Sequence, residues 1–346
     1  MPLNIALQFS RSVTNIEPLG NGLINDTYLV STEAKPFVLQ RINKQVFPQP
    51  EQIMVNLMVL NQHVEQINDK QITLKIPQLL PTLANNSFFC DEQDDVWRAL
   101  SYIDNTESLE TISNLAQAEQ VGYALGQFHW LTRNLDAEKL HDTLPGFHIA
   151  PRYLDHYQYV KPQTKIPEDP YHADFIDSFQ HIVNELEAAK GQGLLTLRVI
   201  HGDPKLNNFL FDKNSQRVIS IIDLDTVKPG LIHYDIGDCL RSCCHNMATD
   251  EFNLEICHAL LRGYIEKMGA FLSKSDYQFL YPAIRLIPFE LGLRFYCDYL
   301  EGNRYFKVAD LQENLCRATG QFRLCASVMA QEADIKDIIK HLQSSH

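Results

Sequence analysis

The run Val199-Ile200-His201-Gly202-Asp203-Pro204-Lys205-Leu206-Asn207-Asn208, followed by Ile221-Ile222-Asp223-Leu224-Asp225, constrains this chain more than any other feature. The apolar stretch from Leu197 to Ile200 reads as a buried strand that ends on a polar loop. That loop presents Asp203, a carboxylate able to take a proton from a hydroxyl, and then Asn208, whose amide oxygen suits a hard metal ion. A second strand, Arg217 to Ile222, follows a turn at Asp212-Lys213-Asn214-Ser215. Folded as a hairpin, it returns Asp223 beside Asn208, so two oxygen ligands converge where Mg²⁺ bridges nucleotide phosphates. Phosphoryl transfer needs these groups. Asp203 is read as base and orienter, Lys205 as the cation that offsets charge on the transferred group, and Asn208 and Asp223 as metal ligands. His201 is read as a loop brace. Asp225 either assists the metal or caps the following turn, and Asp235 and Asp238 read as a helix cap that ties down the loop around Gly237.

HGDxxxxN followed by IDxD resembles the catalytic loop and metal-binding Asp of the protein-kinase-like phosphotransferases, in the branch of the aminoglycoside phosphotransferases and choline kinases. The resemblance implies an α+β, bilobal protein-kinase-like fold. Its small antiparallel-sheet N-lobe, residues 1–103, would bind the nucleotide, and its larger, mainly helical C-lobe, residues 104–346, would carry the catalytic loop and the substrate-binding helices.

The N-terminal segment is consistent with such a lobe. Gly20-Asn21-Gly22 forms a turn that leads into alternating residues up to Val30, and a second strand runs from Pro36 to Ile42. Glycines there let backbone N–H groups approach phosphates closely. No GxxxxGK[ST] occurs, which excludes the P-loop class. Kinases carry a phosphate-gripping lysine on the second of these strands, and here the expected cation is Arg41, whose planar fork can hold phosphate oxygens. The helix expected from Pro50 to Gln66 offers only Glu51 and Glu65 as an acidic partner. Val96 to Ile103 reads as a buried strand, at whose end the backbone of Ser101, Tyr102 and Ile103 is expected to meet adenine.

The 346 residues suit two lobes, and 43 acidic against 30 basic side chains give a net charge of −13. That balance argues against a nucleic-acid surface and for a small polar substrate. Without an apolar run near the ~20 residues of a membrane span, and without a leader pattern at the start, no membrane association and a cytoplasmic location are expected. The eight cysteines form no CxxC pair and are read as reduced thiols, not metal ligands.

Apolar residues from Ile112 to Leu131 recur at helical spacing, and further helices are expected from Tyr171 to Lys190 and from Asp250 onward, with breaks near Gly269 and Pro282. A narrower resemblance runs through Leu19 to Tyr28, Val38 to Asn43, Pro145-Gly146-Phe147-His148, Lys205 to Asn208 and Leu293 to Lys307. These segments look like the N-acetylhexosamine 1-kinases. The resemblance implies ATP and Mg²⁺ as cofactors, an amino sugar as acceptor, and Arg294 and Tyr305 as sugar contacts. On residue chemistry alone, the aromatic run around Arg294 and Tyr305 fits a sugar site or plain core. The alternatives are a choline, homoserine or aminoglycoside kinase of the same fold, and a non-catalytic, ligand-binding pseudokinase.

Overall fold

A computed structural model describes residues 2–20, 24–67, 69 and 72–345. A short helix α1 (Leu3–Ala6) precedes strands β1 (Val13–Pro18), β2 (Asp26–Thr32) and β3 (Phe37–Arg41). Helix α2 (Pro50–Glu65) follows, then β4 (Leu79–Leu80), β5 (Phe89–Cys90) and β6 (Val96–Ser101). The strands form one antiparallel sheet in the order β1-β2-β3-β6-β4, with β5 paired to β6. Alternation sorts its two faces. Val30, Phe37, Leu39, Trp97 and Ala99 pack with Ala6 of α1 into a small outer core. Gln40 and Arg98, paired in register across β3 and β6, therefore occupy the opposite face.

The remainder is mainly helical. Strand β7 (Thr106–Glu107) leads to α3 (Leu115–Thr132), α4 (Ala150–Val160), α5 (Pro170–Phe179) and α6 (Glu185–Gly191). The single helix expected from Tyr171 to Lys190 is thus two, parted by a 3₁₀ segment at Gln180–Asn184. Strands β8 (Arg198–Ile200), β9 (Phe209–Asp212), β10 (Val218–Ile221) and β11 (Lys228–Gly230) come next. β9 and β10 form the expected hairpin, while β8 pairs with β11. Helices α7 (Ile232–Cys244), α8 (Leu254–Met268), α9 (Lys274–Gln278), α10 (Leu280–Leu300), α11 (Glu313–Ala330) and α12 (Glu332–Ser344) complete the chain. The break expected near Pro282 is present at Phe279, where α9 ends and α10 begins. Pro282 itself lies in the first turn of α10, where its missing N–H would have had no intrahelical partner.

The main core runs between α3, α7 and α8 and under the β9–β10 hairpin, through residues such as Leu125, Phe128, Phe209, Ile221, Leu260 and Tyr264. Gly122 on α3 faces the Leu260 carbonyl and Gly263 on α8 faces the Glu119 carbonyl, each too close for a Cβ. These two glycines let the helix backbones approach, and the packed pair supports β8 and the loop it feeds. Among the described residues no helix is long and apolar enough to cross a membrane. None of the cysteines is paired, and among the described residues no cluster of three or more His, Cys, Asp or Glu forms a metal site.

Candidate active site

Strand β8 delivers His201 and Gly202 to the start of α7, where Asp235 waits. The Asp235 carboxylate accepts the N–H of His201 at 2.7 Å and of Gly202 at 2.8 Å, and meets His129 Nε2 at 2.9 Å. It is fully buried. Burial alone would raise its pKa, but the bond from His129, the neighbouring imidazoles and the His201 amide outweigh that and lower it. Asp235 does not tie down a loop around Gly237, contrary to the expectation from sequence. In the structure Gly237 lies inside α7, and the loop Asp235 holds is 201–202. Gly202 has φ +88°, and a Cβ there would meet the Thr226 carbonyl at 2.6 Å.

His201 braces the loop, as read. Its Nε2–H donates to the Ile222 carbonyl at 2.9 Å and its Nδ1 accepts the Asp203 N–H at 3.2 Å. That pattern defines the neutral ring, and burial lowers its pKa accordingly. His148 is the opposite case. Its Nε2 meets the Gly202 carbonyl at 2.7 Å and its Nδ1 meets Glu290 at 3.1 Å, and since both partners accept, the buried ring carries two protons. Burial pulls its pKa down, but Glu290 and Asp238 outweigh it and raise the value.

The stabilisation from a raised histidine is complete below the unfolded value of about 6.5 and is lost as pH rises through the folded value. Unfolding free energy measured by urea titration is therefore expected to fall as pH climbs above neutrality, and in His148→Gln that dependence should flatten. His148→Ala leaves Glu290 unpaired in the core, at an expected cost of about 3–5 kcal/mol. A parent protein and a His148→Gln variant with parallel pH profiles would contradict the charged assignment.

The loop then places Asp203 against Lys205, whose Nζ donates to Asp203 Oδ2 at 2.7 Å. Burial lowers the Lys205 pKa, yet Asp203 and Asp223 together raise it, so the side chain stays cationic. Asn208 donates its Nδ2 to the Asp203 carbonyl at 2.7 Å, which leaves its Oδ1 as an open acceptor. The Ile222 N–H donates to the Asn208 carbonyl at 2.9 Å, so the hairpin sets Asp223 beside Asn208 as the spacing predicts. Asp223 adopts the left-handed conformation, φ +65° and ψ +56°. Its side chain reaches solvent, but desolvation by the surrounding protein, with Asp225 and Asp203 nearby, pushes its pKa up to about 6 against the opposing pull of Lys205 and Arg98.

Asp225 caps no turn with its side chain, whose two oxygens are taken up otherwise. It is buried, ion-paired with Arg98 and bonded by Asn25 Nδ2 at 2.8 Å. Arg98 Nε also donates to Gln40 Oε1 at 3.0 Å. Arg41 is a correction. Two residues on from Leu39, it falls on the outer face of the sheet. There it is 43% exposed, pairs with Asp26 and with Asp95 at 2.9 Å, and sits over Trp97. Strand parity, not spacing from the glycine turn, decides its direction.

Of the glycine turn, Gly20 has φ +69°, while Asn21 and Gly22 lie outside the described residues. Ser101 ends β6, with its N–H donated to the Gln78 carbonyl at 2.9 Å, and the Ile103 carbonyl accepts the Thr106 hydroxyl at 2.8 Å. Tyr102 lies between them. On α10, Arg294 stands over the rings of Phe147, Tyr153 and Phe306 at 4.9, 5.3 and 5.6 Å from their centroids. Burial lowers its pKa, and Tyr153, Tyr305, Glu290 and Asp203 more than restore it. Tyr305 is 47% exposed, and its loop is pinned by Asp298, whose carboxylate accepts the N–H groups of Arg304, Tyr305 and Phe306 at 2.8, 2.8 and 2.9 Å. Asp298 and His148 escaped the sequence reading, although His148 lies in a segment it singled out.

Comparison with known proteins follows the same lines. A model of the phosphotransferase enzyme family matches residues 15–271. Among solved structures, an aminoglycoside phosphotransferase from Alicyclobacillus acidocaldarius superposes with a TM-score of 0.64 at 16% identity, over 99% of this chain and 97% of that chain. A microcompartment-associated aminopropanol kinase gives 0.63 at 18% identity, over 96% and 98%. The amicoumacin kinase hAmiN, solved with AMP-PNP and Ca²⁺, gives 0.64 at 13% identity, over 93% and 92%. With three quarters of its length inside that family match and an antiparallel sheet leading into a helical C-terminal part, the chain belongs to the phosphotransferase enzyme family and has its protein-kinase-like fold.

Proposed function

We propose that this protein transfers the γ-phosphoryl group of ATP to a hydroxyl of a small polar molecule, and that the hydroxyl is the anomeric one of an N-acetylhexosamine. The observation that carries the transfer is the cluster in which Asp203 holds Lys205, Asn208 is locked to the Asp203 backbone, and Asp223 is returned beside it. Asp203 takes the hydroxyl proton as the oxygen attacks phosphorus, and Lys205 offsets negative charge on the transferred group. Asn208 Oδ1 and the Asp223 carboxylate are hard oxygen donors of the kind Mg²⁺ prefers, so they fit as its protein ligands. Mg²⁺ bound there would bridge and neutralise nucleotide phosphate oxygens. Residues 1–103 serve as the nucleotide lobe, with the Gly20-Asn21-Gly22 turn over the phosphates and the Ser101–Ile103 backbone along adenine, and residues 104–346 as the catalytic and substrate lobe. The neighbour solved with AMP-PNP and a divalent cation supports this choice of cofactors, and a cytoplasmic enzyme is the setting it implies.

The acceptor reading rests on Arg294 and its three aromatic neighbours near Asp203, together with the resemblance across Leu293 to Lys307. Arg294→Gln and Tyr305→Phe are each expected to raise the KM for the sugar several-fold more than the KM for ATP. N-acetylglucosamine or N-acetylgalactosamine should be consumed, and their methyl glycosides, which lack the anomeric hydroxyl, should be inert. A second reading, an amino alcohol or aminoglycoside acceptor, is favoured by buried Glu290 and Asp238, each with one carboxylate oxygen lacking a hydrogen-bond partner. The acceptors named for the structural neighbours also favour it. Turnover of amino alcohols or aminoglycosides with none of any reducing hexosamine would replace the first reading by the second.

A further inference from the structure

The protein-kinase-like site needs a cation beside the nucleotide's phosphates and an acidic group to hold that cation in place. Neither expected source supplies them. Arg41 is turned to the outer face, and position 40, which faces inward on β3, is a neutral glutamine. Helix α2 carries only Glu51 in its first turn and Glu65 as its last residue.

A different pair occupies the junction of the nucleotide elements. Arg98 is 1% exposed, one of the largest fully buried side chains in the molecule. Three elements meet on it or on its partner. Gln40 of β3 accepts two of its N–H groups, at 3.0 Å from Nε and 2.7 Å from Nη2. Asp225, two residues beyond the metal-site Asp223, forms its ion pair. Asn25, at the end of the glycine turn, donates to the other oxygen of the same Asp225 carboxylate at 2.8 Å. The glycine turn, the phosphate strand and the metal loop therefore converge on one buried guanidinium–carboxylate pair.

One part of that pair is unfinished. Arg98 Nη1 is buried and has no hydrogen-bond partner. Buried donors are nearly always satisfied, and an unpaired one on a charged group is costly. A fork-shaped cation with two of its nitrogens committed and the third idle is suited to one more oxygen ligand. A purely structural ion pair gains nothing from leaving that donor vacant.

We propose that Arg98 is the cation that binds the nucleotide's phosphates, delivered from strand β6 and not from β3, and that Asp225 is its acidic partner in place of a helix glutamate. The assignment rests on the phosphotransferase reading above and adds to it the residue that anchors the phosphates. Asp225 is then a positioning residue that aims the guanidinium, and Gln40 is a neutral bracket. Asn25, just before β2, donates to the same carboxylate and helps to fix it.

The test is isothermal titration of the whole protein with ADP and with adenosine in Mg²⁺ buffer. In Arg98→Met the ADP affinity is expected to fall about tenfold or more with adenosine affinity unchanged, because only the phosphate contact is removed. Adding Gln40→Lys to Arg98→Met returns a cation to β3 and should recover most of the ADP affinity. If Arg98→Met does not fold, Arg98→Lys carries the test. Its donors sit on one nitrogen and lack the spread of the guanidinium fork that spans Gln40, Asp225 and a phosphate, so ADP affinity should drop several-fold at constant adenosine affinity. An unaltered ratio of ADP to adenosine affinity in these variants, with the parent binding ADP, overturns the assignment alone. A parent protein that binds no ADP overturns the phosphotransferase reading on which it rests.

Discussion

An Asp203→Asn variant is expected to turn over ~10²-fold or more slowly than the parent, with nucleotide affinity nearly unchanged. The substitution is chosen to remove only the proton acceptor. Asn keeps an oxygen for Lys205, which donates to Asp203 Oδ2 at 2.7 Å, and the backbone bond from Asn208 to the residue 203 carbonyl does not involve the side chain. The loop itself is held from below, by Asp235 on the amides of His201 and Gly202 and by His148 on the Gly202 carbonyl. Geometry should therefore survive while the base is lost. Single-turnover rates with saturating acceptor and ATP, beside ADP affinity by titration, separate chemistry from binding. A variant with the parent's rate would move the base elsewhere. A variant that loses rate and ADP affinity in equal measure would make Asp203 a binding residue.

The loop from His201 to Asn208 and the hairpin after it were legible in the sequence because their geometry is local. One strand, one loop and one hairpin carry Asp203, Lys205, Asn208 and Asp223, and spacing alone brings them together. The direction of the strand arginines was not legible in the same way. Arg41 lies at the right distance from the glycine turn, but the face it takes is set by its parity with Phe37 and Leu39, which pack outward against α1. A signal for the alternative was present. Arg98 is the one charged residue in Val96-Trp97-Arg98-Ala99-Leu100, and a charge inside an otherwise buried strand needs a partner. That partner, Asp225, lies far along the chain, so the pairing could be found only after folding. Asp298 illustrates a third kind of case. It holds three amides of an irregular loop, and no periodic pattern marks backbone donors of that kind. One helix break was similarly hard to place. The 3₁₀ segment between α5 and α6 contains neither Gly nor Pro, whereas the breaks expected near Gly269 and Pro282 fall beside those residues.

Asp223→Asn is expected to abolish turnover and to remove the Mg²⁺-dependent part of nucleotide binding, while leaving the fold intact. Asn suits this position because it tolerates the left-handed backbone that Asp223 adopts, whereas Ala would add strain unrelated to the metal. The hairpin does not depend on the side chain either, since the Ile222 N–H to Asn208 carbonyl bond holds its end. Removing the charge also relieves the contact with the neighbouring Asp225, so the ligand-free melting temperature should be no lower than the parent's. On the proposed reading, what is lost is one of the two protein oxygens offered to the metal, and the anionic one. Asn208 Oδ1 alone is a weak, neutral ligand for a hard divalent cation. Thermal shift reads this without turnover. In the parent, ADP with Mg²⁺ should raise the melting temperature more than ADP with EDTA, because a ligand that binds only the folded state stabilises it in proportion to ln(1 + [L]/Kd). In Asp223→Asn the two shifts should be equal. EDTA should likewise stop turnover by the parent, with activity restored by excess Mg²⁺. Full activity in the variant, or parental turnover that EDTA does not touch, would remove Asp223 from the metal site and leave Asn208 without a partner there.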